Sequence, residues 1–432
     1  MTLPMAHAAI RFGLGARPDA APPGANPPRD AQIWLSAQIS PLPAVPGPSA
    51  DEIRTILRDR DRERAALARR DVVRGEALSW AARMLATEAP FAERWTNFWS
   101  NHLTISRRNG FAAIFSGHYH REAIRPHVFG RFETLLLAAY RHPAMLGYLD
   151  QTSSVGPGSP AGQRRGVGLN ENLARECLEL HTITPAGGYS QEDIGALARI
   201  LTGWSVGRGA EVNENSGFMF RPAAHEPGPK TFLGRDYPEG EASGEAALRL
   251  LANHPGTQHS LARKLAIHFI ADVPPESAIG RIEASLHEGD LAAAARAVIA
   301  EPAAWEPLTK IRTGQDFVIA VLRGLGVGEG AAPMLLATLM RLNQPLWTSP
   351  APIGWPDDAA SWAVPEQLMR RVDWATEIAG RAEIGQRIEL PLLVETFLGP
   401  HARAETVGAA RRAGSAQAAV LLILASPEAQ RR

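Results

Sequence analysis

Apolar residues recur every three or four positions through most of the chain, the spacing of amphipathic helices. Phe91, Trp95, Phe98 and Trp99 follow that spacing in PFAERWTNFWSNHLTIS, which predicts a buried helix ending in the polar cluster Asn97, Ser100, Asn101 and His102. Before it, Ser49 and Asp51 offer caps for a long helix running toward Thr87. Its middle alternates charge signs, the mark of a solvated face, and its apolar end should dock on a core. Residues 117–150 predict two or three helices broken by Pro126, Gly130 and Pro143. A Gly/Ser/Pro-rich loop, QTSSVGPGSPAGQRRGVG, then leads into the mixed-charge helix LNENLARECLELHT. Ser190 and Asp193 form a capping-box pattern for the next helix, with Ile194, Leu197, Ile200, Leu201 and Trp204 on its apolar face.

One segment breaks the helical pattern. Residues 217–235 predict a β-hairpin, with Phe218 and Phe220 on one strand and Thr231 to Leu233 on the other. From Ala242 onward the pattern is again helical, interrupted by the tryptophan-rich loop PLWTSPAPIGWPDDAASW. No repeat of fixed period appears. The expectation is an all-α, bundle-like fold with one small hairpin and long loops. It would form a single large domain over 1–432, with lobes at 1–235 and 236–432.

Composition narrows the function classes. The 45 basic and 45 acidic residues cancel, so no general field favours nucleic acid, and no nucleic-acid partner is expected. No window is apolar enough for a membrane span, and no signal peptide is read, so the expectation is a soluble, cytoplasmic chain. Only three lysines occur, Lys230, Lys264 and Lys310. The single Cys177 excludes an internal disulfide and reads as a buried, inert thiol.

The densest chemistry lies between Asn170 and His181. Residues four apart share a helix face, so Glu171, Arg175 and Glu179 form a ladder with Glu176 beside it, while Leu173, Cys177 and Leu180 face a core. Glu176 and Glu179 are candidate acid/base carboxylates, Arg175 a clamp for an anionic group, and His102, His181 and His225 candidate proton shuttles. The i,i+3 spacing of Glu176 and Glu179 also suits a divalent metal. His181 could join them only if the helix unwinds at its end, and His102 or His225 could supply a nitrogen from elsewhere. His225, Glu226 and Lys230 sit on the hairpin and could close over that helix. No phosphate-binding, dinucleotide or G-x-S-x-G motif is present. Two readings remain open: a hydrolytic or metal-assisted enzyme, and a non-enzymatic helical scaffold or assembly partner with a buried ion-pair network.

The segments FWSNHLTIS, RRGVGLNENLARECLELHT, GGYSQEDIGALARILTGW, AHEPGPKTFLG, LARKLAIHFI and APIGWP run in an order that resembles one bacterial family. It is the domain-of-unknown-function family numbered eighteen hundred, and the resemblance extends from about residue 6 to about residue 425. It implies a large, mainly helical protein without an established activity. It also implies a partner encoded by a neighbouring gene, from another unknown family with a phosphatase- or sulfatase-like fold. Members are often exported, whereas no export signal is read here. Glu226 follows His225 where the family commonly shows His-Asp, which keeps the carboxylate on a longer arm.

Overall fold

Helix starts follow the cap residues. The Ser49 hydroxyl accepts from Glu52 N while the Glu52 carboxylate accepts from Ser49 N, opening the helix Ala50–Arg58. Ser190 and Asp193 make the same reciprocal pair at the start of Gln191–Leu201. The long helix expected toward Thr87 is broken once. Asp61 accepts from Glu63 N at 3.1 Å and Arg64 N at 3.0 Å, which stops one helix and starts Arg62–Ala86. A short acidic side chain bonding local backbone outcompetes helix continuation there.

The computed structural model describes residues 1–18, 29–165, 168–207, 217–381 and 389–432. Among them the chain is mainly helical, and its strands form two small antiparallel ladders, not one hairpin. Trp204–Val206 pairs with Phe218–Phe220, and Lys230–Phe232 pairs with Arg235–Tyr237. The second ladder turns at Leu233 and Gly234, both left-handed (φ 46° and 69°), a tight turn that favours neighbouring strands over distant ones. Trp204 leaves the helix expected to carry it because Thr202 (ψ 146°) ends that helix and Gly203 (φ 87°) redirects the chain. The loop after Asp150 carries the short helix Pro160–Arg165, and Glu226 latches it by accepting from Gly158 N at 2.8 Å.

Two apolar cores result. The first gathers Phe91, Trp95, Trp99, Phe132, Leu178, Leu197 and Phe269 with many others between Met5 and Ala304. Pro90 starts its central helix, where a missing N–H costs nothing. Trp95 donates its indole N–H to Val128 O at 2.7 Å and packs on Phe269 with ring centroids 5.7 Å apart. The second core gathers Phe317–Leu325, Leu335, Leu339, Trp374 and Ile423. It also takes Trp80, Ala81, Met84 and Leu85, the apolar end of the Arg62–Ala86 helix. Among the described residues no helix is long and apolar enough to cross a membrane.

Candidate functional site

Where the two cores meet, the chain leaves a cavity of about 350 Å³. That size suits a small ligand. One wall comes from the Pro90–His102 helix (Arg94, Asn97, His102) and the Pro255–Phe269 helix (Lys264, His268). The other comes from Asp316 and Gln344 and from the loop bearing Trp355 and Asp357. Lys264 and His268 stand four residues apart, one helical turn, and so share a face.

The loop is docked by side chain against backbone. Asn101 donates to Trp355 O at 2.9 Å and accepts from Trp355 N at 2.8 Å. Gly354 makes that approach possible: its φ is 89°, and an added Cβ would lie 2.5 Å from Asn101 O. Docking brings Asp357 onto the helix, where its carboxylate meets His268 Nδ1 at 2.5 Å.

This pair is the most organised chemistry in the cavity. Burial works to raise the Asp357 carboxyl, but His268 and Arg432 overcome it and hold it down at about 2. Burial pushes the His268 imidazole down to about 4 against the pull of Asp357. Near neutral pH the carboxylate is therefore charged and the imidazole neutral, with its proton on Nδ1. His268 Nε2 is then a free base, and it has no hydrogen-bond partner. Asp316 lies alongside, paired with Arg94 at 3.2 Å and Arg432 at 2.9 Å, and Arg432 also reaches Asp357.

A second polar chain runs through Lys264. Residues Cys177–His181 form a π-helical turn that closes the Asn172–Glu176 helix and leaves carbonyls unmet within it. Lys264 Nζ donates to Leu180 O at 2.6 Å and contacts His102 Nδ1 at 3.4 Å. His102 Nε2 donates to His181 O at 3.2 Å, and His181 Nδ1 meets the Tyr140 hydroxyl at 2.6 Å. Burial pushes His181 down to about 3 and His102 well below its ordinary value, with Lys264 adding to both. Burial also lowers the Lys264 ammonium, to about 8.

The residues expected from sequence separate into two groups. His102 lines the cavity, and His181 lies directly behind it. Arg175, Glu176, Glu179 and His225 do not border it. Arg175 pairs with Glu171 at 3.0 Å and Glu179 at 3.1 Å on a face about one-third exposed (34–37%). Glu176 is half-buried, and burial, then Glu179, raises its carboxyl. His225 donates through Nδ1 to Thr202 O at 2.7 Å and accepts at Nε2 from Gly240 N and Lys230 Nζ, each 3.1 Å away. Both its ring nitrogens are engaged in joining loops. Cys177 is fully buried, and burial pushes its thiol up to about 12. Among the described residues no three His, Cys, Asp or Glu side chains converge as a metal site.

Lys264, His268 and Asp357 were not singled out from sequence. The i,i+4 spacing in LARKLAIHFI was the available signal, but Asp357 lies 89 residues further on. A larger cleft of about 770 Å³ contains His118, His142 and four arginines. Each of those arginines is already paired: Arg54 with Asp51, Arg121 with Glu76, Arg141 with Glu241 and Arg249 with Glu133.

Fold and site together define a large, two-core helical protein with a carboxylate-oriented histidine and a buried lysine facing one cavity. FWSNH, LELHT, LARKLAIHFI and PIGWPDD all meet at this place. The chain belongs to the family described as Protein of unknown function (DUF1800), whose model matches residues 7–431. No curated protein and no solved structure matches it.

Proposed function

We propose that the protein is an acid–base enzyme of hydrolytic type, with its site in the cavity between the cores. The observation that carries this is His268, neutral, held through Nδ1 by a charged Asp357, with Nε2 buried and unpartnered beside the cavity that the residue lines. That arrangement takes a proton from water or a substrate hydroxyl, and the adjacent carboxylate stabilises the imidazolium that forms. Lys264 is the proton donor and counter-charge, with His102 and His181 fixing its position. Glu176, Glu179, Arg175 and His225 have no catalytic part in this reading.

The test is a panel of chromogenic esters, phosphates and sulfates assayed with wild type and with His268→Asn, whose amide can still donate to Asp357. Turnover should fall by about 10²-fold or more, the usual weight of a general base, and decline as pH rises through about 8, where Lys264 loses its proton. Turnover unchanged in His268→Asn refutes the proposal. The buried pairs Arg94–Asp316 and Arg432–Asp357 favour a second reading, a non-enzymatic scaffold whose charge network fixes the join of the cores. It requires that no member of the panel be turned over and that the Arg94–Asp316 pair be needed for folding.

A further inference from the structure

Lys264 differs from the other two lysines in what answers its charge. Lys310 Nζ sits 2.5 Å from Asp272 Oδ1. Lys230 has the carboxylates of Glu226 and Glu239 near enough to favour its charged form. Lys264 has only the Leu180 carbonyl and the His102 ring, and among the described residues no carboxylate pairs with it. The acids of the same cavity are already engaged, Asp316 by Arg94 and Arg432, and Asp357 by His268 and Arg432. A mostly buried ammonium without a counter-charge is costly unless something else supplies one.

The donors around it are consistent with that. Ser100 and Gln315 line the same cavity, and their side chains make no hydrogen bond among the described residues. We infer that the cavity takes a small anionic ligand, bearing a carboxylate or phosphate group that seats on the Lys264 ammonium. The inference rests on the acid–base reading for its meaning, since it names that enzyme's substrate class, but its test involves no turnover.

Lys264, at about 8, is the cation of this wall that titrates first as pH rises from 7 to 9.5. His102, His181 and His268 are neutral throughout, Asp316 and Asp357 are ionised, Arg94 stays mostly charged at about 10, and Arg312, which acts on Asp316, lies at about 9, so Lys264→Gln isolates the lysine from those arginines. The experiment is thermal denaturation and calorimetric titration of the full chain with inorganic phosphate and, separately, acetate. At pH 7 at least one probe should raise the melting temperature in proportion to the logarithm of its concentration. The effect should weaken at least tenfold in apparent affinity at pH 9.5 and in Lys264→Gln, and persist in Lys264→Arg and His268→Asn. Which probe acts distinguishes a carboxylate from a phosphate. The inference is overturned if neither probe binds wild type, or if Lys264→Gln binds as tightly. Anion binding that survives His268→Asn while turnover is also unchanged would sink the acid–base reading alone.

Discussion

Acidification should destabilise this protein well above the carboxylate range. Seven histidines, six of them buried and His268 largely so, are held neutral: His7, His118 and His268 near 4, His181 near 3, and His102, His120 and His142 well below their ordinary value. Burial is the leading cause for each. All have folded values below the unfolded one, so the unfolded chain binds more protons and stability falls as pH falls. The loss begins near the unfolded value of 6.5 and continues to the folded values near 4 and 3. From pH 7.5 to 5.5 each such histidine costs about 1.4 kcal/mol, or about 10 kcal/mol for seven, comparable with the whole stability of many domains. Asp357, at about 2, contributes its own acid loss only at lower pH. The assay is thermal melting at pH 7.5, 6.5 and 5.5 in matched ionic strength, with proton uptake measured by calorimetry in two buffers. At about 1 °C per kcal/mol for a chain of this length, the melting temperature should drop by about 10 °C. Unfolding at pH 5.5 should take up about six protons. A melting temperature constant within about 2 °C over that range would refute the reasoning.

Three substitutions test the packing that supports the site. Glu93→Ala leaves Arg125 (2.8 Å) and Arg83 (3.3 Å) without their buried carboxylate and should cost about 3–5 kcal/mol in urea denaturation; a loss under about 1 kcal/mol would contradict it. Gly354→Ala combines a left-handed backbone with a Cβ 2.5 Å from Asn101 O, whereas Gly188→Ala (φ 79°) meets open space. The second should cost only the backbone strain of about 1–2 kcal/mol, and the first clearly more; equal losses would discount the close approach. Glu179→Gln touches a partly exposed ladder and should shift stability by less than about 0.5 kcal/mol. It should leave any turnover intact.

The parts legible in the sequence were those set by near neighbours. Ser49 and Ser190 cap as their spacing implies, the aromatic face from Phe91 to Trp99 is buried, and Arg175 bridges Glu171 and Glu179. Local patterns misled where two local solutions compete. The Asp59–Asp61 break and the Leu233–Gly234 turn were decided by side-chain caps and backbone twist that hydropathy does not register. The cavity was hidden for a different reason. His102 meets the His181 carbonyl 79 residues away, and Asn101 meets Trp355 across 254. Such pairs follow from how the cores stack, so the sequence shows their members and not their partnership.

The makeup of the second core has a consequence for the order of synthesis. Trp80, Met84 and Leu85 leave the ribosome early, yet apart from Leu14 and Ala77 their partners in this core begin at Phe317, and 317 minus 85 is 232 residues later. At ordinary elongation rates that interval is about 12–46 s. For that time an apolar helical strip has only part of its native cover, from Leu14 and Asn97, while the first core is already free to form around it. The nascent chain therefore carries its own sticky end in the middle of a half-built molecule. Shielding that strip is the point at which a chaperone could most change the yield of folded protein.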